Sequence, residues 1–323
     1  MALNYALGLG AEGVQVLSVG LAASWFEEAA SAAGAAFHAL PPASPIDPRQ
    51  GWRLRAVAKR FRPDIVLAHG SRGAAVAVPA LKGRVPVAVV MHNFRARKLA
   101  TRAELIIAVS PAVAADLVTR YPRAPVAVVE NFAPLEIIAP RDRFAEPPRI
   151  GTLGRLHEEK GFDILLEAAA GLRAAGRTFS LTIAGEGPDA AALKALAARL
   201  DLGPCVDFPG WIAPPARLLG SLDLFVCPSR TESFGLAIIE AMAAGAGVIA
   251  SDIEGPRELL AQGRFGRLVP AEDPKALAGA LAAALDDPAQ TLAMAKRAQS
   301  EAVAPYGLAA GGRRLIAALA PLA

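Results

Sequence analysis

Two glutamates, Glu232 and Glu240, lie eight residues apart, and a Ser-Phe-Gly turn at 233–235 stands between them. The turn follows a strand-like segment at 222–227 and precedes a helical pattern at 236–244. The beginning of a helix presents free backbone N–H groups and the positive end of the helix dipole, so we expect an anion at this turn. Carboxylates repel an anion but accept hydrogen bonds from neutral hydroxyl groups beside it. A phosphorylated sugar carries both groups, and the pattern therefore predicts a sugar-nucleotide site.

A second loop with suitable chemistry follows a strand pattern at 150–153. Gly154 lets the backbone pass close to a ligand. Arg155 and Lys160 come next, in a loop that leads into a helical pattern. Their cationic side chains could neutralise a diphosphate as it leaves. The alternative interpretation is a capped helix with surface charges.

Two further strand patterns end in glycine turns, one at Gly185 and the other at Gly210. In an open α/β sheet, ligands bind outside the carboxyl ends of the strands. The four loops at Gly154, Gly185, Gly210 and Ser229 could therefore border one crevice.

Alternating strand and helix patterns predict the elements that hold these loops. Strand patterns lie at 14–19, 65–68, 85–90, 105–109, 126–129, 150–153, 180–184, 206–208, 224–227 and 247–250. Helical patterns include 22–33, 52–60, 112–120, 162–175, 189–200, 234–244 and 274–285. Short apolar strands separated by helices are typical of parallel sheets built from βαβ units. Two such sets predict an α/β protein with two doubly wound domains, joined by the proline-rich segment 134–149.

Composition is that of a globular protein, with 54% hydrophobic and 20% charged residues among 323. This excludes a disordered chain and leaves enough sequence for two cores. Cys205 and Cys227 lie in apolar surroundings, which favours free thiols in a reducing compartment, although a bridge between them is the alternative. The sequence shows neither a spanning apolar run nor a basic signal-peptide region, so we expect a cytoplasmic protein.

The positive charge is concentrated in the first half of the chain. Residues 1–148 carry 17 Lys and Arg against 11 Asp and Glu, whereas residues 149–323 carry 17 against 19. Basic residues cluster at 49–62 and again at Arg95, Arg97, Lys98 and Arg102. These clusters indicate either solvated helix faces or a surface for an anionic acceptor or a membrane. A nucleic-acid partner is not expected, because few aromatics are interleaved with the basic residues and no nucleic-acid-binding motif is present.

From residue 150 to about 260, the order of these motifs resembles the donor domain of glycosyltransferase family 4. The resemblance is carried by Gly154-Arg155…Lys160-Gly161, Gly185-Glu186-Gly187-Pro188, Gly210, Ser229…Glu232-Ser-Phe-Gly-Leu and Glu240-Ala-Met-Ala-Ala-Gly245. It implies a GT-B fold, in which two Rossmann-like doubly wound domains face a central cleft. It also implies an acceptor-side domain at 1–140, a donor domain at 141–304, and a helix at 305–323 that crosses back to the first domain.

The resemblance implies a role for each matching residue. Arg155 and Lys160 would hold the donor diphosphate. Glu240 would bind the ribose hydroxyls, and Glu232 would contact hydroxyls of the transferred sugar. The other implied donor contacts are Gly154, Gly185, Glu186, Trp211, Ile212, Ser229, Ser233, Phe234 and Gly235. No metal or other cofactor is expected, because cations and a helix N-terminus would do that work.

The implied activity is that of a retaining transferase that moves a sugar from a UDP- or GDP-sugar to a glycan or lipid-linked acceptor. The setting would be bacterial envelope or lipopolysaccharide-type biosynthesis, with contact at the inner face of a membrane through the basic first domain. In that domain His69 and His92 follow strand patterns, and the resemblance favours His92 as the group that faces the reacting sugar. A histidine in such a position is otherwise often structural.

The beginning of the chain departs from the family pattern. Residues 1–13 correspond to the family's first helix and 14–19 to its second strand, so its first strand and glycine-rich loop have no counterpart. We expect a start assigned downstream of the true one or a truncated chain, and the alternative is a protein that binds a nucleotide sugar without turnover. A GT-B sugar-nucleotide epimerase is a further alternative. A glycoside hydrolase also needs two carboxylates, but the phosphate-type loops argue against it.

Overall fold

The computed structural model describes residues 1–44, 47–94 and 100–323. Within these residues the chain forms two compact units, Met1–Pro134 together with Pro305–Ala323, and Leu135–Ala304. Three residues of the predicted basic cluster, Arg95, Arg97 and Lys98, lie outside the described residues.

The two units are built from alternating strands and helices. The strands are β1 Ser18–Leu21, β2 Phe37–Leu40, β3 Val66–His69, β4 Val87–Met91, β5 Leu105–Ala108, β6 Val126–Val128, β7 Arg149–Leu153, β8 Ser180–Ala184, β9 Val206–Gly210, β10 Leu224–Cys227, β11 Gly247–Ser251 and β12 Arg267–Val269. The helices are α1 Ala2–Ala11, α2 Trp25–Ala32, α3 Pro48–Phe61, α4 Gly70–Leu81, α5 Pro111–Arg120, α6 Phe162–Ala174, α7 Ala190–Arg199, α8 Pro215–Leu219, α9 Leu236–Ala243, α10 Glu254–Leu259, α11 Pro274–Asp286, α12 Pro288–Ala302 and α13 Leu308–Leu319.

Sequence and structure differ mainly at short elements. The predicted strand at 14–19 forms only from Ser18, as β1. β2 and β12 have four and three residues, which is too short for an alternating pattern to stand out. The helix α4 contains Pro79 and begins with glycine, and both features weaken a helical pattern.

The first unit contains a four-stranded parallel sheet in the order β3-β4-β5-β6 and a separate parallel pair, β1-β2. The central strand β4 is buried along its whole length, which explains its continuous apolar sequence. The final helix α13 packs against α1 in this unit. Gly312 permits the close approach, because a Cβ atom there would lie 2.2 Å from the carbonyl oxygen of Gly8 on α1. Gly311 leaves room for the Phe132 ring, which would lie 2.0 Å from a Cβ atom on that residue.

The second unit contains one parallel sheet in the order β12-β11-β10-β7-β8-β9. The chain runs outward from β7 to β8 and β9, then returns beside β7 as β10 and continues to β11 and β12. The direction of winding therefore reverses between β7 and β10. Doubly wound sheets bind their ligands at such a switch point, outside the carboxyl ends of the strands.

Apart from Pro134, the proline-rich segment at 134–149 belongs to the second unit, because the division between the units falls after Pro134 and not at residue 140. The Ile138 amide donates to the Ala243 carbonyl oxygen at 3.1 Å. The buried Asp223 carboxylate accepts from the backbone amides of Ala145 and Arg149, at 3.1 and 2.7 Å. These bonds hold the segment against α9 and the start of β10.

Candidate functional site

A small pocket lies at the switch point between β7 and β10. Residues from both strand ends and from the beginning of α9 line it, among them Thr152, Lys160, Cys227, Ser229, Glu232 and Gly235. The structure thus brings together the two motifs that the sequence singled out, the cationic loop after β7 and the glutamate loop after β10.

The centre of the pocket is an ion pair between Lys160 and Glu232. The Lys160 Nζ atom lies 2.5 Å from Oε2 of Glu232, and both side chains are partly buried. Burial lowers the pKa of Lys160, but the charge and hydrogen bond of Glu232 outweigh it and raise that pKa overall. Lys160 therefore stays cationic, and two of its three N–H donors remain for another acceptor.

Close backbone contacts fix the loops around this pair. Gly161 has a φ of +65°, and a Cβ atom there would lie 2.0 Å from the Pro228 carbonyl oxygen. Gly185 has a φ of +135°, and a Cβ atom there would lie 1.9 Å from the Gly154 carbonyl oxygen. The Gly185 amide also donates to the Gly210 carbonyl oxygen at 2.7 Å. Glycine is required at these contacts because a side chain would separate the loops.

The beginning of α9 faces the pocket. Gly235 caps the helix with a φ of +110°, and both Gly235 and Ala237 line the pocket. The free N–H groups of this first turn are thus directed to the same place as Lys160, which suits an anion. The predicted Ser229 is buried at the pocket, and Phe234 is buried beside it in the same loop.

Glu240 lies on α9, beyond the turn that faces the pocket, and does not line it. Burial raises the pKa of its carboxyl to about 7. An acid with this pKa changes its charge near neutral pH, so its hydrogen-bonding role depends on pH.

Several predicted residues border the neighbouring strand ends and do not line this pocket. Arg155 and Glu186 are exposed, and Trp211 is 63% exposed after β9, followed by the half-buried Ile212. Ser233 is half-buried. The donor contacts implied for these residues stay predictions.

His92 belongs to the first unit and pairs with His69. Nδ1 of His69 lies 3.0 Å from Nε2 of His92, and Tyr5 packs edge-on against His69. Burial lowers the pKa of His69 to about 3 and that of His92 to about 4, so both rings are neutral at neutral pH. Nε2 of His92 is thus engaged with His69, and Nδ1 of His92 is buried. Its role toward a sugar stays a prediction.

Sequence reasoning missed Arg230, although this residue lies between Ser229 and Glu232. Its side chain points away from the pocket and binds Asp163 and Glu272. The motif around Ser229 and Glu232 drew attention to this position, but the sequence did not indicate that Arg230 would bind Asp163 and Glu272.

The structure is thus that of an α/β protein with two units, of which the second is doubly wound and has an anion-suited pocket at its switch point. Residues 136–301 match the family model described as Glycosyl transferases group 1, and residues 1–137 match that described as Glycosyltransferase Family 4. The chain therefore belongs to the glycosyltransferase family that these two models describe, as its motifs indicated.

Curated relatives include transferases of several substrates. Lipopolysaccharide core biosynthesis glycosyltransferase LpsE of Rhizobium meliloti is 26% identical over 259 residues, which cover 79% of this chain and 75% of LpsE. Alpha-D-kanosaminyltransferase of Streptomyces kanamyceticus is 34% identical over 181 residues, covering 54% of this chain and 46% of the relative. The chain thus spans about half the length of the kanosaminyltransferase.

Solved structures show the same fold. The structure of HepE from Anabaena in complex with UDP-glucose has a TM-score of 0.86 and 21% identity, covering 99% of this chain and 96% of that one. Sucrose-phosphate synthase from Thermosynechococcus elongatus has a TM-score of 0.80 and 20% identity, covering 98% and 91%. The predicted GT-B fold class is confirmed by these neighbours.

Proposed function

We propose that the protein is a retaining glycosyltransferase that moves a sugar from a nucleotide-diphosphate sugar to a glycan or lipid-linked acceptor. The observation that carries this proposal is the Lys160–Glu232 pair at the switch-point pocket, beside the beginning of α9. The lysine and the helix N–H groups suit a diphosphate, and the carboxylate suits sugar hydroxyls.

We propose a UDP-sugar as the donor, because the structure of HepE, which has the same fold with a TM-score of 0.86, is a complex with UDP-glucose. LpsE, which matches most of this chain, supports an acceptor of the lipopolysaccharide type. Glu240 would accept hydrogen bonds from the ribose hydroxyls, and Glu232 from the transferred sugar.

In the proposed reaction, an acceptor oxygen attacks the anomeric carbon while the bond from that carbon to the β-phosphate oxygen breaks. The acceptor proton passes to the leaving diphosphate, on the same face of the sugar. Lys160, the first turn of α9 and a reoriented Arg155 would stabilise the negative charge that develops on the diphosphate. We assign no protein nucleophile and no metal ion.

The test is an assay with UDP-glucose and a glycolipid extract, followed by analysis of the anomeric configuration of the product. We expect UDP release that depends on the acceptor, and a product that keeps the donor's α-configuration. Conversion of UDP-glucose to another UDP-sugar without acceptor would support an epimerase instead. Binding of UDP-glucose without UDP release would support the alternative of a binding protein, and hydrolysis of a nitrophenyl glycoside without nucleotide would support a glycoside hydrolase.

Donor affinity should rise with pH near neutrality, because Glu240 must be ionised to accept both ribose hydrogen bonds. Since burial raises its pKa to about 7, ionised Glu240 is the minor form at pH 6 and the major form at pH 8. We expect the Kd for UDP-glucose to fall by about tenfold between these values, measured by calorimetry. UDP-glucose suits the test because each of its phosphates has only one, strongly acidic proton.

The matched control is Glu240→Gln, whose affinity for UDP-glucose should be weaker and independent of pH over this range. Without ligand, the free energy of unfolding should fall as the pH rises, because folding favours the protonated form of Glu240. The stabilisation from Glu240 is then present below its ordinary pKa of 4.5 and is lost as the pH rises through about 7. Equal pH slopes of binding for both proteins would contradict the assignment of Glu240.

We also propose that the first unit contacts an anionic lipid surface through α3. This helix carries five basic residues and no acidic one between Pro48 and Phe61. Trp52 is 67% exposed, and Lys59 and Arg60 are exposed seven and eight residues later, on the same helical face. An exposed tryptophan among cations suits a headgroup layer. In the described part of the chain, no helix has the length and apolar character needed to cross a bilayer.

Flotation with vesicles that contain phosphatidylglycerol tests this surface. We expect the wild-type protein to float with these vesicles, less at high salt, and Trp52→Ser to weaken binding by about tenfold. Trp25→Ser is the matched control, because Trp25 is 62% exposed on α2, whose first turn is acidic. Equal binding of wild-type protein to pure phosphatidylcholine vesicles, or equal losses in both variants, would contradict the proposal.

A further inference from the structure

Building on the proposed function, we infer that Arg230 is a positioning residue that sets Lys160 against Glu232. It lies two residues before Glu232, in the loop after β10, yet its side chain reaches back to the loop that carries Lys160. Arg230 does not line the pocket, so it would act through its effect on the Lys160–Glu232 pair.

The Arg230 guanidinium group makes four hydrogen bonds within the second unit. Nη1 and Nη2 donate to the two carboxylate oxygens of Asp163, at 2.8 and 2.7 Å. Nη1 also donates to the Glu158 carbonyl oxygen at 2.8 Å, and Nε donates to Oε1 of Glu272 at 3.0 Å. Guanidinium has five N–H donors, so the protein itself uses nearly all of them.

These contacts join both sides of the pocket around Lys160. Glu158 precedes Lys160 in a single 3₁₀ turn, and Asp163 follows it in the first turn of α6. The Arg230 backbone amide adds a bond to the Glu159 carbonyl oxygen at 2.9 Å. The residues on either side of Lys160 are therefore tied to the loop of Glu232 at three places.

The same contacts argue against a role for Arg230 as a phosphate ligand. A third cation in this motif would suit the diphosphate, but Arg230 is held by two carboxylates, Asp163 and Glu272. Its hydrogen bond to Asp163 lowers the pKa of that acid and raises the pKa of the arginine, so the pair stays ionised. The charge of Arg230 is thus balanced within the protein.

Small displacements matter at this position because the contact that Arg230 preserves is short. Lys160 and Glu232 meet at 2.5 Å, and a misplacement of about 1 Å in a site of this kind lowers rates by up to about 100-fold. Two contacts between the loop of Lys160 and the loop of Glu232 do not use the guanidinium group: the bond from the backbone amide of residue 230 to the Glu159 carbonyl oxygen, and the close approach of Gly161 to Pro228. Loss of the arginine side chain would leave the loops joined at these contacts but would release Glu158 and Asp163, on either side of Lys160.

The experiment is calorimetry with UDP-glucose on wild-type protein, Arg230→Gln and Asp163→Asn, repeated for Arg230→Gln in a Lys160→Ala background. A positioning role predicts that Arg230→Gln weakens binding by about tenfold and that Asp163→Asn also weakens it. In the Lys160→Ala background, Arg230→Gln should change Kd by less than about twofold, since its effect passes through Lys160. Arg230→Lys should recover part of the affinity by keeping one contact with Asp163.

Arg177→Gln is the matched control. Arg177 makes a similar two-pronged pair with Asp286, at 2.5 and 2.9 Å, but precedes β8 at the opposite end of the sheet. This variant should bind UDP-glucose like the wild type. Should Arg230→Gln prove unfolded by circular dichroism, Arg230→Lys and Asp163→Asn decide the question.

Three results would overturn the inference. The first is an unchanged Kd for UDP-glucose in Arg230→Gln, and the second is an equal fold-change in Kd on Arg230→Gln with and without Lys160. The third is tighter binding by Asp163→Asn, as expected if a freed Arg230 were a phosphate ligand. A wild-type protein that binds no UDP- or GDP-sugar would instead contradict the proposed function.

Discussion

Lys160→Ala is expected to lower sugar transfer from UDP-glucose by about 100-fold, because it removes the cation that faces the developing charge of the diphosphate. The pocket around Lys160 is partly buried, and charge stabilisation there is stronger than at an open surface. The substitution also leaves Glu232 without its partner at 2.5 Å. The initial rate of UDP release with acceptor present is the measurement.

Lys296→Ala provides the control for Lys160→Ala. Lys296 also belongs to the second unit and forms an ion pair, at 3.0 Å from Asp142, but both side chains are exposed. Such pairs contribute little, so this variant should keep nearly the wild-type rate. Similar rates for Lys160→Ala and Lys296→Ala would remove Lys160 from the site.

Gly161→Ala is expected to lower the free energy of unfolding of the second unit by about 3 kcal/mol, from a left-handed backbone and overpacking together. The new Cβ atom would lie 2.0 Å from the Pro228 carbonyl oxygen, so one of the two loops must move. Because Lys160 adjoins Gly161, transfer should also fall. Urea unfolding followed by circular dichroism gives the stability change.

Gly176→Ala separates the two causes. Gly176 has a φ of +77°, close to the +65° of Gly161, but nothing lies within 4 Å of a Cβ atom there. It should therefore show only the backbone effect, about 1 kcal/mol, with unchanged transfer. If both variants lose the same stability, the contact between Gly161 and Pro228 is not what constrains the loop.

The sequence supported prediction of the second unit because its signals are local. Its buried parallel strands read as continuous apolar runs, and glycines mark the strand ends where loops approach each other. The reversal of winding between β7 and β10 then places Lys160 beside Glu232, which motif spacing alone suggested but could not locate. Glu186 after β8 and Trp211 after β9 do not line the pocket, because they lie farther along the edge of the sheet. The spacing of motifs in the sequence does not indicate how far such loops lie from one another in the fold.

Contacts between residues far apart in the chain could not be predicted from the sequence. The pairing of β3 with β4 in register sets His69 opposite Val90, which brings its ring to His92. Whether such a histidine binds a neighbour or a ligand depends on burial, and burial is a property of the folded chain. The bonds of Arg230 to Asp163 and Glu272 likewise join residues far apart in the chain.

Hydrogen–deuterium exchange with saturating UDP-glucose reports both whether the nucleotide sugar binds and where it binds. We expect slower exchange in the segments 154–161 and 229–243, and a much smaller change at these segments in Lys160→Ala. Unchanged exchange in both segments with UDP-glucose and with GDP-mannose, or equal protection in wild-type protein and Lys160→Ala, would contradict the assignment of the switch-point pocket as the nucleotide-sugar site.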